Sequence, residues 1–310
     1  MRIKVLGSAA GGGFPQWNCG CSNCSRLRAG EFKGGARTQA QVAVSLAPSA
    51  WLLLNASPDL RQQLLRDPDF APTRRTRGTP IHGVVLTSAD VDCVLGLLHL
   101  REFEPLHVYS TDAVRRVLTE ENSLFRTLER STPPVEWNTL PLDQPMPISP
   151  AGVTGGDTSL CCRAVPLHGE FPDHVSERLR NSLPKEEAVI GLELIQGGKR
   201  LFYAPSLPGR GEEWKRSLAD SQLALLDGTF WTDNELIDVR GGGKTAREIG
   251  HVPLSGPGGL LEQTEGSQKV RRILIHLNNT NPALDETSEA NRLLREAGWQ
   301  VASDGMEFTL

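Results

Sequence analysis

No stretch of this 310-residue chain approaches the ~20 consecutive apolar residues needed to span a bilayer. The N-terminus, Met1-Arg-Ile-Lys-Val-Leu-Gly-Ser, also lacks an apolar segment of signal-peptide length and enters a strand pattern at once. A basic excess is missing too. With a net charge of −4, nothing electrostatic draws the chain to nucleic acid or anionic lipid. No short-period repeat and no low-complexity segment stands out. Cysteine is scarce, six in all, and half of it is bunched, which suits a reducing compartment. The expectation is a cytoplasmic protein that uses neither membrane nor nucleic acid. What remains, 38% hydrophobic and 23% charged residues, describes a globular chain long enough to bury a sizeable core.

The bunched cysteines are the most informative residues present. Cys19, Cys21 and Cys24 follow Phe14-Pro-Gln-Trp-Asn with the spacing C-x-C-x2-C. A tight loop of that spacing can aim three sulfurs at one point, which suits a tetrahedral thiolate site, zinc first. Disulfide chemistry and free thiols are the competing readings. Cys19 and Cys21 are too close for an unstrained bridge, so metal is favoured and a fourth ligand must come from a distant segment. Cys161-Cys162, inside a strand pattern, reads as buried packing.

Short apolar runs bounded by turn residues predict strands over 3–6, 41–46, 51–54, 83–86, 106–109, 160–165, 188–195, 199–203, 222–226, 272–275 and 306–310. Helical patterns cover 59–66, 93–101, 111–120, 123–129, 212–219 and 286–297, with Asp59 and Thr287 or Ser288 as candidate caps. Clustered strands followed by helices suggest two layered sheets with helices outside, in one domain over 1–310. Gly7-Ser-Ala-Ala-Gly-Gly-Gly13 after the first strand invites a dinucleotide reading, but no helix opens directly behind the glycines. They serve better to let the cysteine loop pack against the strand.

Two strand ends carry the remaining chemistry. Val84-Val-Leu-Thr-Ser-Ala-Asp90-Val-Asp92-Cys93 is a buried strand, a polar loop and a helix start, where either carboxylate could also be a mere cap. Arg272-Ile-Leu-Ile-His276 runs into Leu277-Asn278-Asn279-Thr280-Asn281, and the polar cluster favours a site over a lone structural histidine. Asp227, after Leu225-Leu226, and His251, after Ile249-Gly250, sit in similar settings. His82, His99, His107 and His174 have no such company, and His168 is left open.

The run Val5-Leu-Gly-Ser-Ala-Ala-Gly-Gly-Gly-Phe-Pro-Gln-Trp-Asn-Cys19 resembles the pyrroloquinoline quinone (PQQ) biosynthesis protein B family. So do Asn55-Ala-Ser-Pro-Asp59, Gly96-Leu-Leu-x-Leu-Arg101-Glu102, Tyr203-Ala-Pro205, Asp227-Gly-Thr229, Gly256-Pro-Gly-Gly259, His276-x-Asn-Asn-Thr-Asn-Pro282 and Asp304-Gly-Met306. The blocks span the chain in family order. The resemblance implies an α/β fold, a four-layer αββα sandwich of metallo-β-lactamase type built from two similar halves. The superfamily's H-x-H-x-D-H loop corresponds to Ser88, Asp90, Asp92 and Cys93: the leading histidines are missing, as is usual in this family, while Cys93 in place of a histidine is this chain's own departure. The late-strand histidine corresponds to His276. The region 204–206 replaces the bridging aspartate, which argues against a second catalytic metal. The cysteine loop resembles a structural zinc site closed by a distant side chain.

The resemblance further implies hydroxylation, with ferrous iron and dioxygen, of the tyrosine ring in a crosslinked Glu–Tyr precursor. Asp92 and His276 are the expected iron ligands, with Cys93, Asp90 or His251 as the third, and Arg101, Asn278, Asn279 and Asp227 as substrate or supporting groups. One carboxylate, imidazole and open positions match non-haem iron oxygenases. The runner-up is a carrier that delivers the quinone or a precursor for transport to the periplasm. A hydrolase comes third, because a two-metal site needs more histidines. The expected partners are a small amino-acid-derived PQQ precursor and dioxygen, with a homodimer left open.

Overall fold

The computed structural model describes residues 1–72, 78–101, 105–130, 133–148 and 160–310. Strands β1 to β7 are Arg2–Gly7, Gln41–Ala47, Ala50–Leu54, Ile81–Val85, His107–Ser110, Glu136–Thr139 and Pro145–Ile148. Strands β8 to β14 are Leu160–Pro166, Ile190–Gln196, Lys199–Ala204, Leu223–Asp227, Arg271–Ile275, Trp299–Val301 and Glu307–Thr309. They form two seven-stranded sheets, ordered β14-β1-β2-β3-β4-β5-β6 and β13-β12-β11-β10-β9-β8-β7. Within the first, pairing is antiparallel from β14 to β3 and parallel from β3 to β6. The second repeats that pattern, antiparallel from β7 to β10 and parallel from β10 to β13. The two halves are therefore alike.

Strand side chains alternate between faces, and both faces are buried. Leu52 and Leu54 of β3 meet Leu223, Leu225, Ile273 and Ile275 of the other sheet in one core. Their neighbours Trp51, Leu53, Ala224, Leu226 and Leu274 pack into a second core with helical residues such as Val114, Leu218 and Leu294. This double burial explains why the strands read as continuous apolar runs. It makes the molecule a four-layer αββα sandwich. Helices α1 to α9 are Ser22–Arg28, Leu60–Arg66, Val91–Val94, Asp112–Glu120, Glu177–Ser182, Glu213–Ala219, Glu235–Arg240, Leu260–Gln263 and Glu289–Glu296.

Several elements differ from expectation. The strands β6, β7 and β13 carry a weak pattern because they lie at or next to sheet edges, where Pro145 and Pro147 are tolerated. Helix α1 was not expected in the cysteine loop; it is held by burial of Asn23 and Cys24, with no side-chain cap. The run 93–101 splits into α3 and a 3-10 turn, Leu95–Leu100. Gly96 lies so close to the 56–57 backbone that a Cβ would meet Ser57 O at 2.2 Å. The run 123–129 is a 3-10 turn, Phe125–Arg130. Ser288 caps α9 through Asn291 N at 3.0 Å. Asp59 does not cap α2 with its side chain, which accepts from Gln39 N at 2.9 Å instead.

Candidate metal centres

Two clusters of ligand-type side chains lie among the described residues. The first is Cys19, Cys21 and Cys24, whose sulfurs all lie within 4.8 Å of one another. The glycine run delivers this loop. At Gly7 a Cβ would meet Gln39 O at 2.0 Å, so the chain leaves β1 pressed against its neighbour. Gly12 and Gly13 then turn with positive φ. All six cysteines are free of disulfides.

The second cluster forms where parallel strands end. Beyond β4 the chain places Asp90, Asp92 and Cys93; Asp227 ends β11, and His276 follows β12. His251 arrives on a segment pinned across these ends, with Val252 N on Leu207 O at 2.7 Å and Leu254 N on Phe230 O at 2.9 Å. These side chains, Asp227 excepted, line an open cleft of about 540 Å³. His276 has φ +62°, a left-handed conformation uncommon outside glycine and often retained at functional sites.

Hydrogen bonds fix both imidazoles. Asp227 accepts from Leu207 N at 2.8 Å, Thr229 N at 2.9 Å, Thr229 Oγ1 at 2.6 Å and His251 Nδ1 at 2.6 Å. Asp227 thereby orients His251, and its carboxylate lies with the rings of His251 and His276 in one group of ligand-type atoms within 4.8 Å of one another. Thr229 Oγ1 has one proton. With that proton on Asp227, it accepts from His276 Nδ1 at 2.9 Å. His251 therefore carries hydrogen on Nδ1, facing the Asp227 carboxylate, and leaves Nε2 for a ligand, the arrangement common at histidine metal sites. His276 Nε2 stands 2.9 Å from Asp92 Oδ2. A hydrogen on Nε2 would donate to that carboxylate, and a cation between the two would replace it.

The charges are pushed apart. Burial, then the neighbouring Asp92 charge, raises the Asp90 carboxyl above its usual range, although the Ser88 hydroxyl opposes this. Burial also works upward on Asp92, but the hydrogen bond and charge of His276, with His251, carry it below the usual range. At Asp227 burial is likewise outweighed, here by His251 first, and its carboxyl is held low. Burial disfavours the charged His276 ring, yet Asp92, Asp227 and Asp90 together raise its pKa. The Cys93 thiol is driven far upward by burial and by the two carboxylate charges. It lines the cleft as a thiol, 4.0 Å from Thr87 Oγ1.

Of the residues expected from sequence, Asp90, Asp92, Cys93, His251, His276 and Asn278 share the cleft, with Asp227 bonded behind His251. Asn279 does not join them. It turns to the cysteines, because successive side chains of the 276–281 turn point to different partners: Asn278 to the cleft, Asn279 to the sulfurs, Thr280 to Glu235 and Asn281 to Gly228 O. Arg101 is exposed at the end of its 3-10 turn, donates to Leu98 O and lies outside the cleft lining. Glu102 falls outside the described residues. Thr229 and Glu235 were missed, and only the Asp227-Gly-Thr229 block pointed to the former. His168, left open by the sequence, stands on the cleft wall with φ +55°.

Glu235 supplies a pH test. Burial lifts its carboxyl from 4.5 to about 7, against hydrogen bonds from Thr280 and the Trp231 and Thr232 backbone. Between those values the folded chain keeps a proton that the unfolded chain has lost. Its stability contribution is therefore complete below about 4.5 and drains away as pH rises through about 7. The loss is at most about 3 kcal/mol. Glu235→Gln should flatten that slope in urea denaturation at pH 5 and pH 7.5, relative to wild type. Parallel losses in both proteins would contradict the assignment.

Three comparisons bear on this geometry. A profile of the Beta-lactamase superfamily domain matches residues 50–277. Over 100% of both chains, the protein is 44% identical to coenzyme PQQ synthesis protein B of Nitrosococcus oceani and 42% identical to that of Azoarcus sp.. Among solved structures, the zinc-bound PqqB of Methylobacterium extorquens matches with a TM-score of 0.88 and 36% identity, 100% of each chain being covered. A full-length match of sequence and fold, on a strand-end cleft of carboxylates and imidazoles, places the chain in the coenzyme PQQ synthesis protein B family of the β-lactamase superfamily, with a part in PQQ biosynthesis.

Proposed function

We propose that the cleft holds ferrous iron and uses dioxygen to hydroxylate the tyrosine ring of the crosslinked Glu–Tyr intermediate, while the cysteine cluster holds a structural zinc. One observation carries the reading: two imidazoles, each held by hydrogen bonds, converge with Asp92 and Asp90 on one open cleft. Imidazole and carboxylate donors with free positions fit non-haem ferrous iron, and a thiolate cluster fits zinc. His276, His251 and Asp92 would hold the iron, with Asp90 beside them. Iron bound there would supply activation of dioxygen.

The remaining work falls to the chain itself. Asp227 and Thr229 hold the two rings in orientation, and Asp227 keeps the His251 Nδ1 proton in place. Cys93 lines the same cleft, where burial and the two carboxylate charges favour its thiol form. Arg210 and Arg240 line the same cleft and have no ion-pair partner among the described residues. A substrate derived from glutamate and tyrosine carries carboxylates, and these arginines offer planar paired donors for them. A two-metal hydrolase would need more histidines than His251 and His276, the two within ligand distance of each other.

The test is oxygen consumption by anaerobically iron-loaded protein on addition of the crosslinked intermediate, with zinc-loaded protein as control. Uptake in the iron form alone is expected. Tight binding of intermediate or quinone without uptake in either form would favour the carrier.

A further inference from the structure

We propose that Glu235 is a positioning residue for the cleft: through Thr280 it turns the Asn278 amide so that its oxygen faces the substrate and accepts a hydrogen bond from it. This rests on the reading of the cleft as the seat of a substrate derived from glutamate and tyrosine.

A continuous chain of hydrogen bonds runs from the interior to the cleft. Glu235 opens α7 and is buried, 6% exposed. Its Oε2 accepts from Trp231 N at 2.5 Å, and its Oε1 accepts from Thr280 Oγ1. Thr280 Oγ1 in turn stands 2.5 Å from Asn278 Nδ2. Asn278 lines the cleft, and its Oδ1 has no protein partner among the described residues. The turn that carries both residues is anchored separately, by Asn278 N on Thr229 O at 3.1 Å and by Asn281 Nδ2 on Gly228 O at 2.8 Å.

The buried end fixes the direction of the chain. An ionised carboxylate only accepts, and a threonine hydroxyl has one proton to give. Thr280 gives that proton to Glu235, so toward Asn278 it can only accept. The two ends of an amide are alike in shape, and shape alone would not choose between them. Glu235 makes the choice: the NH2 meets Thr280, and the oxygen is left for the cleft. Burial, Thr280 and the Trp231 and Thr232 backbone set the proton affinity of Glu235, and no charged side chain among the described residues contributes to it. An oxygen presented in this way selects an N–H or O–H donor. The crosslinked substrate offers both, in its amines and its phenol hydroxyl.

A substitution of equal size reverses the chain. In Glu235→Gln the Trp231 N–H still needs an acceptor, so the new side chain turns its NH2 to Thr280. Thr280 must then give its proton to Asn278, whose own NH2 swings to the cleft. Adding Asn278→Asp restores an acceptor there, because a carboxylate takes the Thr280 proton and still offers an oxygen to the substrate.

The experiment measures the dissociation constant of the crosslinked intermediate without oxygen at pH 8, above the value of about 7 to which Glu235 is lifted. Glu235→Gln should bind roughly tenfold more weakly, the cost of one donor facing another, and the double variant should recover to within about threefold of wild type. Analogues lacking the amines, or with the phenol methylated, identify the donor: the one without it should bind wild type and Glu235→Gln alike. Undiminished binding by Glu235→Gln, or no recovery in the double variant, overturns the proposal. If Glu235→Gln does not fold, nuclear magnetic resonance of wild type decides. The Asn278 NH2 protons, held by Thr280, should exchange with water at least about tenfold more slowly than those of exposed amides. Exchange as fast as in exposed amides overturns the relay. Wild type that does not bind the intermediate at all overturns the reading of the cleft instead, and the amide exchange then decides the relay alone.

Discussion

Asp92→Ala is expected to lower turnover of the crosslinked intermediate by at least roughly a thousandfold, about 4 kcal/mol of barrier. Asp92 is the carboxylate in contact with His276, and no neighbour replaces it: Asp90 is turned to Ser88 at 2.7 Å, and Asp227 is bonded to His251. Removing it also leaves the raised proton affinity of His276 without its main support. The same variant should keep its cysteine-bound zinc, because that cluster draws on another loop. Iron content and oxygen uptake, measured together, check both statements. Full turnover by Asp92→Ala would remove the residue from the site.

The second large effect is on stability. Cys21→Ser, or stripping of zinc by chelation, should lower stability by about 3 kcal/mol, a fall of roughly 5 °C in the melting temperature. The sulfurs converge from a loop whose own helix, α1, has no side-chain cap, so a metal would add its bonds to the hydrogen bonds that Phe14 and Asn23 already make. A small satellite core beneath, including Phe14, Phe32 and Leu284, depends on the same loop. Calorimetry of metal-loaded and stripped protein measures the difference. Equal melting of the two forms would contradict a structural metal.

The sequence was readable where function is local. C-x-C-x2-C announces convergent sulfurs through spacing alone, His276 closes a buried apolar run followed by polar residues, and Asp92 lies in the short loop and helix start behind another such run. Strands buried on both faces gave continuous runs, so the two sheets were legible too. What could not be read depends on which strand ends meet. The roles of Asp227 and Thr229 arise because β11 lies beside β12, which puts a threonine hydroxyl on His276 Nδ1. Asn279 and Asn278 are neighbours in sequence with opposite destinations, a consequence of turn geometry that no composition reveals. Glu235 owes its shift to burial beneath that turn. Arg101 was drawn in by its place in a matching block, yet it is exposed and donates to Leu98 O.

The central claim is oxygen insertion at the cleft, and isotope transfer tests it most directly. The iron-loaded protein is turned over on the crosslinked intermediate under dioxygen labelled with heavy oxygen, and the product is weighed by mass spectrometry. The account predicts that the label enters the tyrosine-derived ring, and that none enters when labelled water replaces labelled dioxygen. Ring oxygen drawn from water, or unchanged intermediate recovered from the protein, would contradict it.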